Sequence, residues 1–132
     1  MEHEYAATKE GIALIISQVA GLTIAGIEIR GDDTVAVSFD NGTVLEVRDD
    51  GQDCCEIRYI TSDDDGDQYR GAIFNGFDIG STEYREHGRD SVHEVAFLNI
   101  RTSLGVYVAE THNEHNGYYG GFEIALEEVK QG

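Results

Sequence analysis

Apolar residues recur at helical spacing in one part of the chain. Ile12, Ile15, Ile16 and Val19 fall at three- and four-residue steps, Thr8 is placed to cap the start, Glu10 sits in the first turn, and Gly21 can take the left-handed position beyond the end. This spacing predicts a helix over about 8–20. Leu14 widens its apolar face, so the helix is expected to bury most of its circumference against a sheet or against a second copy of itself.

From Leu22 the period switches to two. Ala25, Ile27 and Ile29 share one face of a first strand, and Val35, Val37 and Phe39 share one face of a second. Asn41-Gly42 then predicts a type I′ hairpin into a third strand, Thr43 to Val47. A fourth is expected over Asp53 to Ile60, one or two more between Tyr69 and Ile79, and two stronger ones at Val92 to Thr102 and Val106 to Glu110. Phe122, Ile124 and Leu126 alternate as the last. Asp63 to Asp67 and the polar stretch Ser81 to Asp90 read as loops. The fold class expected is mainly β with one N-terminal helix, an antiparallel barrel or sandwich built from hairpins, as a single domain over 1–132 with its β part over about 22–128.

Charge narrows the partners. Asp and Glu number 26 against 9 Lys and Arg, for a net charge of -17. Such a field repels nucleic-acid backbones and anionic lipid headgroups, so no nucleic acid and no membrane partner is expected. The balance also suits a salt-rich cytoplasm or a GC-rich genome, in which case it reports on the host rather than the task. The longest apolar run, Ile12 to Ile16, is too short to cross a bilayer. The acidic start Met1-Glu2-His3-Glu4 has none of the character of a secretory signal, so a cytoplasmic protein is expected, with the virion as the other setting.

Three stretches invite a chemical reading. Cys54 and Cys55, adjacent in a strand, point to opposite faces and cannot both ligate one metal; they read as one core thiol and one at a partly exposed edge. An EF-hand loop with Gly66 as its sixth residue would need acids where Thr61 and Ala72 stand, so Asp63 to Asp67 reads as a solvated loop. The densest stretch is Thr111 to Tyr119, with His112, Glu114 and His115 before Asn116-Gly117-Tyr118-Tyr119. His112 and His115, with His93, are weak candidates for a metal site, and no nucleophile is spaced beside them. The plainer reading makes Asn113 and Glu114 loop residues, Asn116-Gly117 a tight turn, and the tyrosines the start of a strand.

Asp53-Cys54-Cys55-Glu56 and Asn116-Gly117-Tyr118-Tyr119 together resemble a small domain family of unknown function found in phages and prophages. Gly21-Leu22-Thr23-Ile24, Ala96-Phe97-Leu98 and Thr102-Ser103-Leu104-Gly105 fall in the family's order, so the resemblance covers roughly residues 20–128. The architecture is more distantly similar to phage anti-Thoeris proteins, which act as oligomeric sponges for cyclic nucleotide signals. Where the family pattern has Arg-Trp before its Asn-Gly-Tyr-Tyr, this chain has Glu110-Thr111, which leaves Arg101 or Arg58 to anchor a phosphate.

The resemblance implies a non-enzymatic phage or mobile-element binding module that sequesters a small nucleotide-type signal. The ligand is expected at Tyr118, Tyr119, Asn116, His115 and Arg101, with no cofactor and no resident metal, in a homodimer or higher oligomer formed through the helix. A virion or other structural protein is the alternative, and a metal-dependent enzyme using His112 and His115 ranks last.

Overall fold

The computed structural model describes residues 2–52, 56–86, 91–117 and 120–130, with Glu2 and Glu86 as backbone alone. It is an antiparallel β-sandwich with one helix, and its sheets do not close into a barrel. The first sheet runs in the order β1 (Glu2–Ala6), β10 (Ile124–Lys130), β4 (Val44–Asp49), β3 (Thr34–Phe39) and β2 (Ile24–Arg30). The second runs β5 (Ile57–Thr61), β9 (Gly105–His115), β8 (Val92–Thr102) and β6 (Phe74–Ile79), with β7 (Glu83–Glu86) also paired to β8. Helix α1 (Lys9–Val19) packs on β1, β10 and β6.

Alternation dictates what lies between the sheets. Val35, Val37, Leu45, Val47 and Leu126 face inward from the first sheet, and Leu98, Ile100, Tyr107, Ala109 and Phe74 from the second. Phe39 and Phe74 meet edge to face across the core, their centroids 5.8 Å apart at 85°. Outside, the first sheet is laced with charge: Arg48 lies between Glu46, Asp50 and Glu127, and Arg30 bonds Glu28.

The helix begins where the sequence places it. Thr8 Oγ1 accepts from Gly11 N–H at 3.1 Å, and Gly21 adopts φ 87° just beyond the end. Its apolar face is used within the chain: Ile15 and Val19 are buried, Ile12 and Ile16 half-buried, and Leu14 is the large apolar side chain left exposed. Gln18, with its amide nitrogen turned inward, donates to Glu4 at 2.9 Å and to the buried Glu128 at 2.6 Å. Lys130, 3.4 Å away, completes the neutralisation of Glu128.

Several elements depart from the sequence expectation. β1, a polar run that precedes the helix, is held as an edge strand by five register pairs with β10. Part of Ser81 to Asp90, expected as loop, is β7, which continues the edge that β6 begins along the eleven-residue β8. The described part of the fourth strand starts at Ile57, and Cys54 and Cys55 lie outside the described residues. The Asn41-Gly42 hairpin is not a two-residue type I′ turn. Phe39 N–H bonds Thr43 C=O at 2.9 Å around a three-residue loop, and Gly42, at φ 88°, donates to Phe39 C=O at 3.0 Å. Most consequential, β9 does not stop at Glu110 but runs on to His115, so Asn113 and Glu114 are strand residues.

The 3-10 turn Gly66–Tyr69 closes one side of the sandwich by pressing its backbone against β2. A Cβ on Gly66 would lie 1.8 Å from Ile27 O, a backbone atom that cannot move aside. Gly66→Ala is therefore expected to lower the unfolding free energy by about 1–3 kcal/mol in urea titration, the range of overpacking costs. Gly76→Ala, where a Cβ would meet nothing within 4 Å, is the near-neutral control.

Candidate functional site

The extension of β9 brings polar residues into the interior. Thr111, Asn113 and His115 continue the inward row of Tyr107 and Ala109, and β8 sets Glu94 inward opposite Asn113. The result is a buried polar layer at one end of an otherwise apolar core. Arg58, reaching in from β5, is its hub: its guanidinium bonds Glu56 at 2.8 and 2.9 Å, Asp49 across the sheets at 2.7 Å, and Gly121 C=O at 3.2 Å. The side chains of Arg58, Asp49 and Glu56 are 8%, 4% and 0% exposed. Burial pulls the Arg58 guanidinium down, but its bonds to Glu56 and Asp49 outweigh that and leave it above its ordinary value.

Asn113 donates to Glu56 at 2.8 Å and to Gly121 C=O at 3.2 Å. Glu94 Oε1 accepts from Gly121 N–H at 3.1 Å and pairs with His115 Nε2 at 2.5 Å. Because Gly117 N–H donates to His115 Nδ1 at 3.0 Å, the ring proton belongs on Nε2, and both nitrogens are engaged. His115 thus pins the turn and has no nitrogen left for acid-base work. Gly120, at φ 153°, lies so close that a Cβ would meet Glu94 Oε1 at 2.3 Å. Thr111 Oγ1 and Asn113 Oδ1 are buried with no hydrogen-bond partner among the described residues, which marks this layer as more than packing.

The segment that the layer grips forms one wall of a cleft of about 950 Å³. Gly121, Phe122, Glu123 and Ile124 line it on one side, with Ile12, Ala13 and Ile16 of α1, Phe77 to Ile79 of β6, and Ala96 around them. The lining is mostly apolar, and Lys9 is its cation. Its size lies in the range of small-ligand sites.

On the opposite, outer face of the second sheet stands a separate aromatic cluster. Tyr59 stacks on His112 at 4.4 Å and 9°, and its hydroxyl donates to Glu114 at 2.7 Å. His112 Nδ1 meets His93 Nε2 at 2.9 Å, while its Nε2 meets Thr61 Oγ1 at 2.8 Å. Burial and the Glu114 bond push the Tyr59 phenol up to about 12. Burial, then neighbouring His93, hold His112 below its ordinary 6.5.

The residues expected to form one site are therefore dispersed. His112 and His115, three positions apart on a strand, point to opposite faces and are not brought together. Among the described residues, no group of three or more His, Cys, Asp or Glu stands where it could hold a metal ion. Arg101 lies nine residues along β8 from Val92, the partner of His115, so about 30 Å separates them. There it is ion-paired with Asp78. Asn116 follows β9 directly, whereas Tyr118 and Tyr119 lie outside the described residues. Of the two arginines named as anchors, Arg58 is the one near the motif loop. Glu94, Asn113 and Asp49 were missed, though Glu94 sits on the apolar face of an otherwise clear strand, a signal readable from alternation alone.

The fold and layer define the class: an antiparallel β-sandwich with a polar-ended core and a helix-walled cleft. Residues 16–123 match the domain of unknown function DUF7448, and the chain belongs to that family. The match contains the whole polar layer but ends before β10 and begins partway along α1. No curated protein and no solved structure matches significantly.

Two outcomes test this geometry. Arg58→Met leaves Asp49 and Glu56 buried without their cation and is expected to cost about 3–5 kcal/mol in chemical denaturation. His112 makes stability depend on pH. Its folded value lies below the unfolded 6.5, so well above that pH it is neutral in both states and costs the fold nothing. As the pH falls further, the unfolded chain takes up a proton that the folded chain refuses, and stability drops until the folded value is passed. Stability measured between about pH 5.5 and 7 is expected to rise with pH, and His112→Gln to flatten that rise.

Proposed function

We propose that the chain is a non-enzymatic binding module that works through the cleft between α1, β6 and the 120–124 segment. One observation carries the reading: Gly121 in the cleft wall has its N–H held by Glu94 and its C=O by Arg58 and Asn113, so the buried layer fixes the wall from behind. A preorganised wall is what lowers the cost of binding.

Two occupants are in view. The motif resemblance supports a small nucleotide-type signal, sequestered by a phage or mobile-element protein against a host defence. Its ring would lie between Ile12 and Ile16 on one side and Phe77 and Phe122 on the other, with one phosphate at Lys9. The alternative, an interaction protein or virion component, is favoured by the edge strand β6, whose residues 77–79 form part of the cleft itself.

Thermal melting with nucleosides, mononucleotides, cyclic dinucleotides and cyclic ADP-ribose isomers tests the first occupant. A ligand at about 100 times its dissociation constant stabilises by about 2.7 kcal/mol, a rise of several degrees for a domain of this size. Ala13→Trp, which plugs the cleft from an exposed helix position, is expected to abolish the rise. A rise that survives Ala13→Trp would place the ligand elsewhere.

A further inference from the structure

We infer that the β6 edge is a docking site for an extended, basic polypeptide segment, which adds to the second sheet as a further strand inside the cleft. This rests on the binding-module reading and chooses its second occupant. β6 is the last strand of its sheet; on its other side the Gly21–Leu22 segment bonds Phe74 at the start, Phe74 N–H to Leu22 C=O at 3.0 Å and Gly21 N–H to Phe74 C=O at 2.9 Å, and no described strand pairs with the remainder. Its register sets Phe77 opposite Ile100, Asp78 opposite Asn99 and Ile79 opposite Leu98. Continued by one residue, it sets Gly80 opposite Phe97, where Gly80 N–H bonds Phe97 C=O at 2.7 Å. Hydrogen-bonded pairs alternate along an antiparallel ladder, so Asp78 exchanges bonds with Asn99 while Phe77 and Ile79 turn their N–H and C=O groups away from β8. Both residues line the cleft, and no other described backbone segment bonds them there.

Two outward sets of donor and acceptor, two residues and about 6.6 Å apart, repeat with the spacing of a partner strand. Across the cleft Ile12 and Ile16 stand one helical turn apart with Ala13 between them on the wall, leaving room for alternate side chains of an inserted segment. A small ring would engage one of the two sets. A second copy of the folded chain is disfavoured because -17 repels -17. The same field attracts a segment carrying Lys or Arg; within the lining Glu123 is the acid left to meet it, since Asp78 is paired with Arg101, and Lys9 stands on the helix side.

Fluorescence polarisation with labelled Lys-Val-Lys-Val-Lys-Val-Lys tests the inference, against the Glu-Val counterpart and two versions N-methylated on the lysines or on the valines. Strand geometry ties each side-chain type to one edge, so one methylated series blocks the bonds to Phe77 and Ile79 and the other leaves them intact. Saturable binding is expected for the basic peptide, with a loss of about fivefold per blocked bond in one methylated series only. Ala13→Trp, checked by circular dichroism and melting to be folded, is expected to abolish binding. Equal binding of both methylated series, equal binding of the acidic peptide, or no saturable binding would each overturn it. Nucleotides that raise the melting temperature while peptides fail would leave the binding module standing without this partner; failure of both would remove the two together.

Discussion

One cation, Arg58, buried between the sheets, ties the structure together. Arg58 is reached by the end of β4 through Asp49, by the residue before β5 through Glu56, and by the segment before β10 through Gly121, with Asn113 of β9 bridging Glu56 to Gly121. Each charge has left water at a cost of several kcal/mol, recovered because the guanidinium fork is filled on nearly every side. The arrangement adds little net stability over an apolar core of the same volume. It fastens the end of β4, the residue before β5 and the segment before β10 to one another in the interior. The Glu94–His115 pair repeats the device one step along, holding the other side of Gly121. Shape at the cleft wall is therefore decided inside the core.

The apolar parts of this design are legible from sequence because one cause, burial of alternate residues, acts at every position. Val92 to Thr102 was readable to the residue, as was the strand that supplies Val35, Val37 and Phe39, and the helix expected over about 8–20 forms over Lys9–Val19. Alternation fails where the interior is polar. Thr111, Asn113 and His115 occupy inward positions that would ordinarily hold valine or leucine, so β9 ends at Glu110 when only apolar residues are counted. The partners that make those residues tolerable, Glu56, Glu94 and Arg58, lie up to about sixty positions away and are set opposite them only by the sheet register. β1 and β7 were hidden for a different reason. As edge strands with much of their surface in water, they need no apolar face, and Glu2-His3-Glu4-Tyr5 and Glu83-Tyr84-Arg85-Glu86 carry almost none.

The acidity of the chain acquires a structural meaning beside the open edge. A strand with unpaired backbone groups templates pairing with any neighbour, and β6 cannot be blunted by a charged side chain at every position without filling the cleft. Its protection is distributed instead: α1 overhangs it, and Asp78 within it is matched by Arg101, so the local charge is spent on the sheet's outer face. Self-association is then opposed over the whole surface by the net charge, an effect that reaches about 8 Å at physiological ionic strength. An edge covered at Phe74 and overhung by α1, with repulsion of its own kind guarding the rest, leaves Phe77 and Ile79 to a segment of opposite charge.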